Sequence, residues 1–289
     1  MAYSFAGKRA FLTGAASGIG RATALRLARE GAELYLTDIN ADGLSQTVAD
    51  VRALGARVPA HRALDIADYH EVAHLAVDIH THHGAMDIVC NIAGISAWGT
   101  VDHLTHQHWR SMIDVNLMGP VHVIETFLPP MMAAGRGGRL VNVSSAAGLV
   151  ALPWHAAYSA SKFGLRGLSE VLRFDLARHG IGVSLVVPGA VNTPLVDTVH
   201  IAGVDRDHPQ VQRLVRLFTG HAVPAEKVAD KILAGIAKNS FLIYTSADIR
   251  ALYAFKRLAW RPYSAVMTRA NVAFTRALRP RSARPLPPA

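Results

Sequence analysis

Seven short runs rich in valine, leucine and isoleucine, separated by longer segments, limit what this 289-residue chain can fold into. They are Arg9–Thr13, Glu33–Thr37, Arg57–Leu64, Ile88–Asn91, Arg139–Val143, Gly182–Val187 and Phe241–Tyr244. Their apolar residues are continuous rather than alternating, as in parallel strands covered on both faces. The intervening stretches, such as Gly18–Glu30 and Asp68–His83, place apolar residues at i, i+3 and i+4, the spacing of an amphipathic helix. Strand, helix and strand repeated in this way imply right-handed crossovers and an α/β, doubly wound parallel sheet. With 51% hydrophobic residues the chain can bury a core of that size.

The first strand runs into Thr13-Gly14-Ala15-Ala16-Ser17-Gly18-Ile19-Gly20 and then a helix. Glycines at 14, 18 and 20 permit a tight turn and let backbone amides approach a pyrophosphate, toward which the helix points its positive end. The spacing is G-x-x-x-G-x-G rather than the commoner G-x-G-x-x-G. Asp38 ends the second strand, 18 residues after Gly20, where an acidic side chain meets an adenosine ribose. A carboxylate there accepts from both ribose hydroxyls and repels a 2′-phosphate. Thr37, Ile39, Asn40 and Ser17 supply no cation, so the reading is NAD rather than NADP. Arg21 is expected to face solvent or pyrophosphate. The competing reading of Asp38 is a helix N-cap.

The run Arg139–Val143 leads into Ser144-Ser145, and Tyr158-Ser159-Ala160-Ser161-Lys162 begins thirteen residues after Ser145. Residues i and i+4 share a helix face, so Tyr158 and Lys162 project together. A phenol with a pKa near 10 is a poor base at neutral pH, and a nearby ammonium lowers that pKa. The Ser145 hydroxyl is suited to hold and polarise a substrate oxygen.

In these motifs the chain resembles the short-chain dehydrogenase/reductase family over about residues 5–245. The resemblance implies a Rossmann-like, seven-stranded sheet with helices on both faces, and a nicotinamide-dependent oxidoreductase. It places the cofactor on the glycine loop (Gly14, Ser17, Gly18, Ile19, Gly20) and Asp38, with Asp65-Ile66 at the adenine. Asn91-Ile92-Ala93-Gly94 matches the family's NNAG segment, with Ile92 in place of the second asparagine, and Asn91, Ala93 and Gly94 are carried over as cofactor residues. Pro188-Gly189, Val191 and Thr193 would meet the nicotinamide end, together with Tyr158 and Lys162. The catalytic set is Asn116, Ser145, Tyr158 and Lys162. Tyr158 exchanges the alcohol proton during hydride transfer, Ser145 orients the oxygen, Lys162 tunes Tyr158, and Asn116 anchors a relay water. At Ile92 a packing change is expected rather than lost activity.

The pocket is expected to be apolar, lined by Ile95, Trp98, Ala147, Leu149, Leu152, Trp154 and Val191. A substrate lid is expected over about 194–222, carrying Leu195, Val199, Ile201, Val204, Val215, Leu217 and Phe218. Such walls suit a hydrophobic secondary alcohol or ketone. His155 is expected in the pocket wall rather than as a second base. The family architecture takes residues 1–249 as one domain and 250–289 as a basic, amphipathic extension with a Pro-rich end.

Net charge is +9, and residues 250–289 hold nine arginines and lysines with no acid, so the body is formally neutral. That distribution disfavours a nucleic-acid-binding body. The tail mixes its charges with Leu252, Tyr253, Phe255, Tyr263, Met267 and Phe274, as amphipathic helices broken near Pro262. Two readings stand side by side: packing, on the body or a second subunit, and peripheral contact with an anionic membrane. A homotetramer or homodimer is implied by the resemblance. One cysteine, Cys90, excludes an intrachain disulfide, and Met1–Lys8 lacks a secretory apolar run, so a cytoplasmic location is expected. The histidine clusters at 70/74, 80/82/83 and 103/106/108 are read as surface, with no metal. The alternative function is a non-catalytic dinucleotide-binding regulatory or scaffold protein.

Overall fold

The computed structural model describes residues 3–278 apart from 196–198, 205–208, 210, 213–215, 217–219 and 221. Strands β1 (Arg9–Thr13), β2 (Glu33–Asp38), β3 (Ala60–Ala63), β4 (Ile88–Asn91), β5 (Gly138–Val143), β6 (Ile181–Val187) and β7 (Leu242–Tyr244) form one sheet. Their spatial order is β7-β6-β5-β4-β1-β2-β3 and every pairing is parallel. The order reverses between β1 and β4, and in such sheets ligands bind beyond the carboxyl ends of the strands at that reversal.

Helices cover both faces. On one side α1 (Gly18–Arg29), α2 (Ala41–Ala53) and α7 (Ala225–Ala237) bury Leu27, Val48 and Ile232 against β1, β2 and β4. On the other, α3 (Tyr69–His83) and α5 (Gly119–Ala133) bury Ile79 and Phe127, and Phe127 stacks on Phe11 of β1. Helix α4 (His106–Ile113) runs into α5 through a π-helical turn, Asp114–Met118, which contains Asn116. Single π turns within α-helices concentrate at functional sites. Helix α6 (Ala156–Asp175) follows the loop after β5.

The strands fall where the apolar runs place them, with one contraction. The third run is a regular strand only over Ala60–Ala63: Pro59 has no N–H to donate to the ladder, although Arg57 O still accepts from Leu34 N at 2.9 Å. The tail is two helices, α8 (Ala247–Leu258) and α9 (Trp260–Leu278). They break at Ala259 rather than at Pro262, which sits in the first turn of α9, where its missing N–H breaks no helical bond. The apolar side of the tail packs on this chain's own body through Tyr263, Phe255 and Met267. No helix among the described residues is long and apolar enough to cross a membrane. Of the expected lid, Val215, Leu217 and Phe218 lie outside the described residues.

Candidate active site

At the reversal point the glycine loop is tied down on both sides. Thr13 Oγ1 accepts hydrogen bonds from the amides of Ile92 (3.0 Å) and Ala93 (3.1 Å), which joins the end of β1 to the loop after β4. Gly14 and Gly18 adopt positive φ. A Cβ at Gly14 would sit 2.7 Å from Ala93 N, and one at Gly18 would sit 2.9 Å from Thr193 Cγ2. Both positions therefore demand glycine for conformation and for space. Ser17 precedes α1 without capping it, and the helix has no acid in its first turn. The positive end of α1 is thus left to the cleft, a cradle that fits a pyrophosphate.

Asp38 stands beside that cradle. Its carboxylate accepts from Ala16 N and from Asn40 N, each at 2.9 Å. The N-cap of α2 is Asn40, not Asp38, which removes the competing reading of the aspartate. Arg21 does not reach the loop. It donates to Asp50 on α2 at 2.6 Å.

The second half of the cleft is built by the loop between β5 and α6. Ser145 follows the end of β5 and accepts from Ala147 N at 3.1 Å. Tyr158 and Lys162 lie one turn apart on the inner face of α6, and both are buried. Burial pushes the Tyr158 phenol up, while its hydrogen bond with Ser145 pulls in the opposite direction. Lys162 donates to Val143 O at 3.1 Å, and its Nζ is 5.9 Å from the Tyr158 ring centroid. Burial also pushes Lys162 down to about 8. In this geometry Ser145, rather than Lys162, is the neighbour that eases ionisation of the phenol, because the ammonium is turned toward a backbone carbonyl.

The glycine loop, Asp38, Asp65, Ile66, Ala93, Gly94, Ser145, Tyr158, Lys162, Pro188, Gly189, Val191 and Thr193 all line one cleft of about 1280 Å³. Of the expected catalytic and cofactor residues, two do not line it. Asn91 is buried beneath and donates to Asn142 at 2.9 Å, tying β4 to β5. Asn116 is fully buried. It exchanges two 2.9 Å hydrogen bonds with the backbone of Ile95 and donates to Ser161 at 3.3 Å, which locks the loop after β4 to α6.

Residues 8–202 match the family model described as short chain dehydrogenase. The chain belongs to the short-chain dehydrogenase family. Its relatives include the Mycobacterium tuberculosis protein named as oxidoreductase SadH, 37% identical over 262 residues, which cover 90% of this chain and 94% of that one. An uncharacterized NAD-dependent oxidoreductase of the same organism is 38% identical over 219 residues, 71% of this chain and 79% of that one. Among solved structures, a short-chain dehydrogenase/reductase from Burkholderia phymatum in complex with NAD aligns with a TM-score of 0.80 at 28% identity, covering 99% of this chain and 100% of that chain. The protein is an oxidoreductase of this family, acting on CH–OH and C=O groups with a nicotinamide dinucleotide.

In this short-chain dehydrogenase the far end of the cleft is apolar. Ile95, Trp98, Ala147, Leu152 and Val191 line it as expected, joined by Leu195, Val199 and Ile201. Leu149 and Trp154 do not line it. Leu149 packs behind the loop against Tyr263, and Trp154 packs in a separate cluster with Phe274 and Leu278. The carbonyl of Trp154 accepts from Gly99 N at 2.8 Å, and its φ is +66°, a conformation that costs a bulky residue strain. His155 is a wall residue, and burial pushes its imidazole down to about 4.

Motif reading missed the last wall entirely. Leu252 of α8 and Met267, Ala270, Phe274 and Leu278 of α9 face the same cleft. Tyr263 latches the tail to the catalytic loop: its hydroxyl accepts from Ala151 N (2.8 Å) and donates to Ala151 O (3.2 Å). Lys256 donates to Leu149 O at 2.8 Å. The signal that could have found this wall is the spacing of 263, 267, 270, 274 and 278, a single helical stripe. Ile92 packs at the edge of the core and also lines the cleft. Among the described residues no group of three or more His, Cys, Asp or Glu could hold a metal ion.

Proposed function

We propose that this dehydrogenase interconverts a hydrophobic secondary alcohol and its ketone, prefers NAD to NADP, and uses Tyr158 as the acid/base. The observation that carries this reading is that Ser145, Tyr158 and Lys162 face a cleft with an apolar far wall, while a glycine cradle beside Asp38 forms its other end. The bound dinucleotide supplies the hydride acceptor or donor. Gly14, Ser17, Gly18, Ile19 and Gly20 would hold its pyrophosphate, Asp38 its adenosine ribose, and Asp65 with Ile66 its adenine. Ala93, Gly94, Pro188, Gly189, Val191 and Thr193 would line the path to the nicotinamide.

In oxidation Ser145 orients the substrate oxygen and the Tyr158 phenolate takes its proton; in reduction the phenol returns it. Burial works against the phenolate, so a nearby cation is required. With its pKa near 8, Lys162 remains mostly protonated at neutral pH and provides that cation as it turns toward the bound substrate and cofactor. Asn116 and Asn91 are positioning residues that hold the floor of the cleft. The Asp38 carboxylate repels a 2′-phosphate, and Arg21, paired with Asp50, does not offset it.

Fluorescence titration with NADH and NADPH, followed by initial rates on a series of 2-alkanols with NAD, tests the reading. Tighter NADH binding and rates that rise with chain length are expected. NADPH preference would overturn the cofactor assignment, and cofactor binding without turnover of any alcohol would favour a regulatory role.

The same reading takes residues 1–249 as one catalytic domain to which 250–289 add a pocket wall, in a cytoplasmic enzyme. Dimers or tetramers would form through the long helices around Asn116 and Tyr158, where Val171 and Phe174 of α6 are exposed. Light scattering on the purified protein tests this, and a monomer would refute it. The outer face of the tail, with Leu258 88% and Trp260 60% exposed beside Arg257 and Arg261, suits peripheral contact with an anionic membrane. Co-sedimentation with phosphatidylglycerol vesicles but not phosphatidylcholine vesicles is the expected result; no sedimentation with either would remove the contact.

A further inference from the structure

His155 is unusual among the walls of the substrate end. It is 8% exposed, lines the cleft, and stacks on Trp98 with ring centroids 4.4 Å apart. Its Nδ1 lies 2.6 Å from the carbonyl of Pro153. A carbonyl only accepts, so Nδ1 carries the proton of that bond. Burial holds the imidazole neutral at physiological pH, so Nε2 has a lone pair and no proton. The hydrogen bond to this ring is made at Nδ1, and the ring lines the cleft, so a ligand donor can reach the lone pair on Nε2. The neighbouring side chains offer little competition. Ile95, Leu152 and Met267 of the same cleft are apolar and carry no donor, and the Trp98 indole N–H is spent on Ser96 Oγ at 2.8 Å.

We infer that His155 is a specificity-determining residue whose Nε2 accepts a hydrogen bond from a second hydroxyl on the substrate, so that the preferred substrates are apolar diols and hydroxyketones rather than simple alcohols. This rests on the alcohol/ketone function proposed above and sharpens its substrate class. The His155 and Tyr158 ring centroids are 6.3 Å apart, so a small molecule held at Tyr158 lies beside the His155 ring. A lone pair at that point also disfavours a carbonyl or carboxylate in place of the hydroxyl, because two acceptors would face each other. A diketone or keto acid of the same shape is therefore a poorer ligand than the hydroxyketone. The fixed ring, held by Pro153 and Trp98, makes the discrimination one of geometry and not of adaptable solvation.

The test compares 2,3-octanediol with 2-octanol, using the wild type, His155→Leu and His155→Gln. In the wild type the diol is expected to exceed the alcohol in kcat/KM by about tenfold, the worth of one net hydrogen bond. His155→Leu should lower kcat/KM for the diol about tenfold more than for 2-octanol, mainly through KM, and His155→Gln, which keeps an acceptor, should restore part of that difference. Equal efficiency for the two substrates in the wild type, or an equal loss for both in His155→Leu, would overturn the assignment. If the wild type oxidises neither alcohol, the functional reading fails by itself and binding still decides this one. The diol should then perturb tryptophan fluorescence, through Trp98, at lower concentration than 2-octanol, with and without NADH. Identical binding curves, or a difference that survives in His155→Leu, would refute it.

Discussion

The two ends of the cleft are built in opposite ways. At the cofactor end the working surface is largely backbone: the turn from Thr13 to Gly20, the open end of α1, and two glycines that no side chain can replace. These parts come from one contiguous stretch and need little from the rest of the chain beyond the loop after β4. At the substrate end the surface is side chains, drawn from the loops after β4 and β5, from α6, and from a helix pair at the far end of the sequence. Backbone recognition tolerates change in neighbouring side chains; a wall assembled from distant segments changes whenever one of them does. The first end can therefore stay constant while the second diversifies.

If the ends are separable, removing the acid/base should leave the cofactor end intact. Tyr158→Phe is expected to lower kcat by about a thousandfold, within the usual range for general acid–base catalysis, with the NADH dissociation constant unchanged. Stopped-flow or steady-state rates with a fluorescence titration on the same protein check both halves. A matching loss of NADH affinity would merge the two ends.

Acid provides the next largest effect, and it should act on the substrate end. The His155 pKa is depressed from 6.5 to about 4 by burial, so the unfolded chain takes up this proton before the folded one does. Its contribution to stability is present in full above about pH 6.5, falls as pH drops through that value toward 4, and amounts to about 3 kcal/mol. Urea midpoints measured from pH 7 to pH 4 should fall less steeply in His155→Leu than in the wild type. Parallel curves would show that the imidazole is not held neutral.

At the cofactor end, Asp38→Asn removes the charge and keeps one of the two oxygens, so either Ala16 N or Asn40 N loses its acceptor. The NADH-over-NADPH preference is expected to fall by about tenfold, as for the loss of one charge-assisted hydrogen bond, with a melting temperature lowered by a few degrees. An unaltered preference would move cofactor discrimination elsewhere.

The same contrast explains what the sequence made legible. Apolar runs located all seven strands because a parallel strand buried on both faces leaves a continuous mark, and Pro59 trimmed the third for a reason visible in its own chemistry. The glycine loop and the Tyr158–Lys162 pair were legible because their function depends on local spacing. The bond from Asn91 to Asn142 was not legible, because a motif gives a position along the strand but not which side chain the strand turns into the sheet. The tail's stripe was visible as amphipathic, yet its partner, the loop at Leu149–Ala151, lies more than a hundred residues earlier, and periodicity carries no record of such a distance. Likewise the orientation of Lys162 toward Val143 depends on burial and not on spacing.

The smallest expected effect tests that long-range link most directly. Tyr263→Phe keeps the ring that packs against Leu149 and Val150 and deletes only the hydroxyl that Ala151 uses twice. Loss of a hydrogen bond to a buried partner should cost about 1–2 kcal/mol and lower the melting temperature by a few degrees. Because Ala151 lies between Ser145 and Tyr158, slackening the loop should also raise KM for bulky substrates a few-fold, while the glycine cradle, anchored by Thr13 to the loop after β4, should hold NADH as before. Calorimetry, a KM series over chain length and an NADH titration on this one variant separate the outcomes. A fall in stability with an unchanged KM series would make the tail a brace rather than a wall, and a parallel loss of NADH affinity would show that the latch supports both ends of the cleft together.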